Sequence, residues 1–518
     1  MTAERLLGID LGTGSVKAVL TTTSGQVLAV ASQEYQVCSP HQGWAETDPA
    51  QWWAATVDAV RRVLADPAAA GSPGPGTPGG FGVLGIGLSG QMHGVTLTAA
   101  DGAALRPAIL HADGRAIDEL AAYRALEPAH ELRLANPLSP NMAGPMLCWL
   151  LRHEPALVAR ARWALQPKDW LRLQLTGEVA TDASDACATL LYDVPADRWD
   201  EALAASLGID PALLPAVRAS CAVGGRLRPV AARMVGLPPG IPVAVGAADT
   251  AAGALGTGLC RPGQTQLTVG TSAQLITMLS RPTPTVGVHC YRTATPVGDR
   301  GGGSAAGRPD VPSPWYAMGA VLNAGLALNW VRIVLNAGWQ EVYAAAAEPP
   351  RPQDPLFLPH LSGERTPYVD PTLRAAWTGL SLGTDRTAML RAALEGVAFA
   401  VRGALDCLPR VPGDPPASDE TTPVGVVGGG TTDPGWRQML ADIVGRPLAA
   451  YDVPVASGRG AALLAGVAVG ALSWEDVMDQ AVRSAGETSL TTPRPQVAAR
   501  YASRRERFDQ HVRALRGT

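Results

Sequence analysis

Two stretches, one in each half of the chain, carry the same local device. Residues 6–20, LLGIDLGTGSVKAVL, and residues 266–279, QLTVGTSAQLITML, each pass from an apolar β-type run through a turn of small residues into a second β-type run. The first strand ends in Asp10 and its turn supplies Gly12, Thr13 and Gly14; the second turn supplies Gly270, Thr271 and Ser272. Glycines let the backbone approach an anion and turn successive N–H groups into one concavity, and hydroxyls add donors. Each hairpin is therefore a candidate phosphate cradle, and two of them facing each other would clamp the phosphates of a nucleotide. A repeated device also calls for two units of similar design, as does a length of 518 residues, which exceeds what one core organises.

The first unit opens with three short strands, LLGID, VKAVL and, after the turn at Ser24 and Gly25, QVLAVAS. Strands joined this closely are antiparallel. TDPAQWWAATVDAVRRVLAD then starts a helix, with Thr47 or Asp48 as N-cap, Pro49 in the first turn and an apolar face through Trp53, Val57, Val60 and Leu64. GSPGPGTPGG, residues 71–80, reads as a flexible connector, and VLGIGLS beyond it is an apolar strand delivering the loop GQMHG, residues 90–94.

The second half repeats the grammar. Residues 241–256, IPVAVGAADTAAGALG, predict a buried strand ending near Asp249 and a helix of small residues. DRGGGSAAGRPD, residues 299–310, predicts an exposed loop. Helical patterns follow in MGAVLNAGLALNWVRIVLN and TAMLRAALEGVAFAVRGALDCL, and residues 424–445 run from a buried strand through three glycines into a helix. AALLAGVAVGAL, residues 461–472, is too short to span a bilayer and reads as a buried helix. The expected organisation is a first unit over 1–246, a second over 247–480 and a helical tail over 481–518.

Composition narrows the partners. A net charge of −4 gives no reason to expect nucleic acid, and the N-terminus lacks the serial basic, apolar and cleavage segments of a leader. Seven scattered cysteines without metal-ligand spacing fit a reduced, cytoplasmic protein with no membrane attachment; a homodimer is left open. Of the 42 basic residues only Lys17 and Lys168 are lysines, and both sit beside an Asp-bearing motif.

Seven motifs, in order from about residue 6 to residue 470, are GIDLGTGSVK, GLSGQMHG, QPKDWLRLQLTGEVATDASDA, GAADTAAGALG, VGTSA, LPHLSGERTP and GGGTTDPGWRQMLADI. This set resembles the FGGY carbohydrate kinases, and within them the xylulokinases. The resemblance implies an α/β fold of duplicated actin-like, ribonuclease-H-like domains, with ATP and sugar in the central cleft.

Residue chemistry and resemblance then assign candidate roles. A carboxylate at a strand end can accept the proton of an attacking sugar hydroxyl, the role the resemblance gives Asp249; as a residue alone, Asp249 equally suits an N-cap. Asp10, just before a phosphate turn, suits Mg²⁺ held with water and phosphate oxygens, or simply a stabilised turn. Gly12, Thr13, Gly14, Gly270, Thr271 and Ser272 are the phosphate residues. Lys17 either returns toward the phosphates or faces solvent. Gly428, Gly429 and Gly430 open a helix that the resemblance assigns to the adenosine, with close helix–sheet packing as the other explanation. Gln91, Met92 and His93 resemble the sugar loop, where imidazole meets a hydroxyl and methionine an apolar face.

HADGR, residues 111–115, aligns with a stretch usually reading Trp, Asn, Asp, Gly, Arg, which keeps Asp113 as a sugar ligand but replaces Trp and Asn with His111 and Ala112. Met146 stands where lysine is usual, and Ala273 where glycine is usual. Lys168 and Asp169 resemble a segment that shapes the first domain. Together these imply ATP- and Mg²⁺-dependent phosphorylation of a ketopentose, D-xylulose at O5, in pentose catabolism. The alternatives are a kinase for ribulose, a pentitol, gluconate or glycerol, and a non-catalytic actin-like nucleotide switch.

Overall fold

Two apolar runs joined by a Gly-Thr-Gly turn make the opening hairpin, β1 (Arg5–Leu11) and β2 (Ser15–Thr22), and β3 (Val27–Glu34) extends it antiparallel. The computed structural model describes residues 4–67, 82–126, 128–295, 314–347, 350–414, 421–484 and 487–517. The expected connector at 71–80 and loop at 299–310 lie outside them.

The first sheet is completed by β4 (Val83–Gly90), parallel to β1, and by β5 (Val223–Arg226), β6 (Pro242–Ala244) and β7 (Ala247–Ala248). Its order is β5-β6-β4-β1-β2-β3, with β7 also pairing β4. The second sheet comprises β8 (Thr265–Val269), β9 (Ala273–Leu279), β10 (His289–Arg292), β11 (Trp315–Val321), β12 (Val424–Val427), β13 (Leu448–Tyr451) and β14 (Glu487–Thr491), in the order β10-β11-β9-β8-β12-β13-β14. In each sheet a tight antiparallel hairpin (β1-β2, β8-β9) carries a third antiparallel strand on one side and a parallel strand (β4, β12) on the other. The duplication read from two turns therefore extends to whole sheets.

Among the helices, α1 (Pro49–Ala65) is capped by Asp48, whose Oδ1 accepts the Ala50 N–H at 2.9 Å. It buries Trp52 where Trp53 was expected; Trp53 is only half-buried. After α2 (Pro167–Thr176) and α3 (Asp249–Gly256) come α4 (Arg386–Asp406), α5 (Pro434–Val444), α6 (Ala456–Ala468) and α7 (Pro495–Arg516). Residues 318–321, expected as helix, belong to β11: all four pair antiparallel with residues 273–276 of β9, and this ladder outweighs local periodicity. The tail expected to be helical contains β14, which closes the second sheet.

The two units are joined through α6, which follows β13 of the second sheet yet lies against β1 and β4 of the first. A Cβ on Gly8 would lie 1.8 Å from the Gly458 carbonyl oxygen, and one on Gly87 would lie 1.8 Å from that of Ala461. Only glycine permits so close a helix–sheet approach. α6 also packs on α3, and β7 and α3 lie with the first sheet, so residues 247–256 structurally continue the first unit rather than open the second. Among the described residues no helix is long and apolar enough to cross a membrane, and all seven cysteines are free thiols.

Candidate active site

Parallel register brings the acidic residues together. β1 pairs Asp10 with Ser89 of β4, and β7 pairs Ala247 with the same Ser89, so Asp10 and Asp249 emerge at the carboxyl ends of the two strands flanking β4. Open α/β sheets take their ligands in the crevice beyond those ends. Ser89 Oγ donates to Asp10 Oδ1 at 2.8 Å. The first turn of α6 closes on both acids: Ser457 Oγ donates to the Asp249 carbonyl at 3.0 Å, and Gly458 packs beside the Asp10 side chain. The positive end of the α6 dipole thereby faces the pair.

Asp249 does not act as an N-cap. It is the first residue of α3, preceded by Ala248, and its Oδ1 accepts the Thr250 N–H at 2.6 Å and the Thr250 hydroxyl at 3.2 Å. Burial, and then the charge of Asp10, push its pKa up to about 7. Burial raises Asp10 as well, against the Ser89 hydrogen bond and the charge of Lys17. Lys17 pairs with Asp10 across the β1–β2 ladder and is half-buried, and its charge acts on Asp10. Two carboxyls held above their usual range in one crevice suit proton transfer.

The phosphate turns occupy equivalent places in the two sheets. Gly12 N–H bonds the Ser15 carbonyl at 3.0 Å, and Gly270 N–H bonds that of Ser272 at 2.8 Å. Thr13 is half-exposed, and Gly14, Gly270, Thr271 and Ser272 are exposed. The Gly12 carbonyl is braced by the Tyr35 hydroxyl and by Gln91 Nε2 at 3.5 Å, while the second turn is held by Gly325 N–H on Gly270 O and Leu326 N–H on Thr271 O. Gln91 Oε1 is buried without a partner, an oxygen available to a hydroxyl or a hydrated ion.

Beside β8 the parallel strand β12 ends at Val427, just before Gly428, so the two Gly-rich turns are neighbours. The glycines do not open the helix directly: Gly429–Thr431 forms a 3-10 turn, and Asp433 caps α5 by accepting the Trp436 N–H at 2.8 Å. Trp436 Nε1 fixes the Gly430 carbonyl at 3.0 Å.

His93 carries the sugar loop through a left-handed backbone with φ of 71°. Its Nδ1 lies 2.8 Å from the Ala188 carbonyl, which can only accept, so Nε2 is left as an acceptor. Burial, outweighing that hydrogen bond, lowers its pKa to about 4, with His111 and Arg365 adding to the fall. Arg365 of LPHLSGERTP also disfavours charge on His111, after burial. The second unit thus reaches the sugar loop, and Tyr291 of β10 lies 6.1 Å from the His93 ring.

Two expected sugar contacts are placed differently. Met92 is buried in the hydrophobic cluster with Ala247 and Ala248. Asp113 is spent internally: its carboxylate accepts from Ala45 N at 2.6 Å and from Arg115 N, Nε and Nη2 at 2.9, 2.9 and 2.6 Å. Four donors saturate it, and it holds Arg115 3.5 Å over the Trp44 ring. Met146 is fully buried, so a lysine there would need a partner this chain has no cause to provide.

The N-terminal domain of the FGGY family of carbohydrate kinases matches residues 5–256, and its C-terminal domain matches 266–469. The chain belongs to the FGGY family of carbohydrate kinases. It is a sugar kinase, of a family that uses ATP. It is 34% identical to a xylulose kinase of Escherichia coli K12 over 85% of both chains, and 35% identical to one of Klebsiella pneumoniae over 89% of this chain and 90% of that one. Among solved structures, a xyloylose kinase from Brucella ovis superposes with a TM-score of 0.86 at 32% identity, covering 99% of this chain and 100% of that one. A gluconate kinase from Lactobacillus acidophilus reaches the same TM-score at 23% identity over 99% and 98%, a likeness of fold. The fold of this FGGY kinase is the duplicated actin-like, ribonuclease-H-like one.

Tyr35 and Ser457 had no motif to announce them, and Ser89 lay inside GLSGQMHG with no role assigned to it. Ser89 was accessible in principle from the parallel pairing of GLS with GID. Tyr35 and Ser457 reach the site only through tertiary packing.

Proposed function

We propose that this chain transfers the γ-phosphoryl group of ATP to O5 of D-xylulose, giving D-xylulose 5-phosphate and ADP. The observation that carries the reading is Asp249, a carboxyl poised near pH 7 beside Asp10, in a chain about one-third identical to proteins named xylulose kinase. Asp249 takes the hydroxyl proton as the sugar oxygen bonds the γ-phosphorus and the bond to the ADP oxygen breaks. Gly12, Thr13, Gly14, Lys17, Gly270, Thr271 and Ser272 line the phosphates, and Gly429 and Gly430 the adenosine. Gln91 and neutral His93 meet sugar hydroxyls, while Asp113 shapes the site through Arg115. Closure of the two units excludes water, which would otherwise compete for the phosphoryl group.

Among the described residues no group of three or more His, Cys, Asp or Glu side chains could hold a metal by itself. Mg²⁺ suits such a site, because it commonly takes one or two carboxylates and completes its shell with water and phosphate. Asp10, with one oxygen engaged by Ser89, fits as that carboxylate. When bound, the ion offsets charge on the phosphates.

An ADP-release assay over D-xylulose, D-ribulose, a pentitol, gluconate and glycerol tests the reading. The highest kcat/KM is expected for D-xylulose, and a clear preference for another compound would replace it. One observation favours that second outcome: His111 and Ala112 stand where xylulokinase-like sequences carry Trp and Asn, and His111 Nδ1 is buried without a partner.

A further inference from the structure

A chain that uses arginine almost everywhere keeps a lysine at position 168, fully buried on α2 behind the active site. Its ammonium lies 2.7 Å from Asp169 Oδ1, 2.9 Å from Asp182 Oδ1 and 2.9 Å from Asp185 Oδ2. The first contact is a hydrogen bond and the other two are ion-pair contacts, so three carboxyl groups converge on one compact point charge, which a planar guanidinium with its donors spread over a fork does not supply. The space is also limited, since a Cβ on neighbouring Gly90 would come within 2.9 Å of Lys168 Cβ. Burying this many charges adds little net stability and often costs some, so the cluster calls for another reason.

Its outer contacts supply one. Arg172, 2.8 Å from Asp169 Oδ1, donates to the Val245 carbonyl at 2.8 Å. Asp182 Oδ2 receives the hydroxyls of Ser184 at 2.5 Å and Ser220 at 2.9 Å. The Ser220 carbonyl accepts the Gly246 N–H at 2.9 Å, and Ser184 Oγ accepts the Ala248 N–H at 2.9 Å. Val245, Gly246 and Ala248 are therefore each gripped on a main-chain group, and the next residue is Asp249. Burial holds the Asp185 carboxyl well above the usual range, which eases the crowding of three acids on one ammonium.

We propose that Lys168 is a positioning residue. It gathers Asp169, Asp182 and Asp185 into a rigid mount that, through Ser184, Ser220 and Arg172, fixes the 245–248 backbone and so aims Asp249 at the substrate hydroxyl. This rests on Asp249 being the base.

The test compares Ser184→Ala, Ser184→Thr and Lys168→Arg with Asp249→Asn in the full-length enzyme. Steady-state kinetics are paired with thermal melts and with hydrogen exchange at the Ala248 amide. Ser184→Ala removes one hydroxyl and leaves the ion cluster in place, so it remains informative if Lys168→Arg fails to fold. The expected result is a fall in kcat of up to about 100-fold for Ser184→Ala, the scale of a small misplacement of a catalytic group. KM for ATP stays unchanged, the melt stays near wild type, Ala248 exchanges faster, and Ser184→Thr restores kcat. Wild-type kcat in Ser184→Ala alongside an inactive Asp249→Asn would overturn the mount while leaving the base in place. Wild-type turnover in Asp249→Asn would remove both.

Discussion

Ser457 Oγ donates to the main-chain carbonyl of Asp249 at 3.0 Å, across 208 residues of sequence. A residue that follows the last parallel strand of the second sheet thereby holds the candidate base of the first. The backbone of Asp249 is gripped by Ser184 through Ala248 and by Ser457 of α6 through its own carbonyl, while among the described residues its carboxylate takes hydrogen bonds from Thr250.

Replacing Asp249 by Asn is expected to lower kcat by about 10²- to 10⁴-fold, the usual contribution of a general base. ATP affinity by titration calorimetry should stay close to wild type, because the phosphate turns belong to other elements. Turnover at the wild-type rate would reassign the base.

The same residue predicts a pH profile. With a pKa pushed up to about 7 by burial and then by Asp10, Asp249 is protonated and unable to accept a proton below that value. The kcat/KM for the sugar should therefore fall about tenfold per pH unit on the acid side, with the bend near 7. Removing the neighbouring charge with Asp10→Asn should move the bend to lower pH in the residual activity. An unchanged bend would show that the two acids do not interact.

His93 should behave as a neutral acceptor throughout the working range, since burial holds its pKa near 4. His93→Ala is expected to raise KM for the sugar by about tenfold or more, the scale of a lost polar contact, with little change in KM for ATP. Equal effects on both KM values would place His93 outside the sugar site.

The union of the two units rests on the approach of α6 to the first sheet. Gly87→Ala places a Cβ 1.8 Å from the Ala461 carbonyl oxygen, backbone against backbone, with no flexible side chain to yield. A loss of at least about 1–3 kcal/mol is expected in chemical denaturation, in the range of core overpacking. Gly14→Ala, with nothing within 4 Å of its added Cβ, is the control and should cost far less.

The recurring Gly and Thr turns, the strand pattern around them and Asp10 and Asp249 at strand ends were all legible in the sequence, because hairpin turns and strand periodicity are local. So was the duplication, since each half must bury its own apolar strands. Local pattern failed where tertiary neighbours decided the outcome. Residues 318–321 read as helix yet joined β11, and Asp113 read as a free ligand yet was saturated by Arg115 and Ala45. Only the folded chain could set Asp10 beside Asp249, since that depends on the register of β1 and β7 against β4. It alone revealed the buried mount behind Ala248, because the charges of residues 168–185 meet the distant 245–248 backbone only when packing removes the water between them.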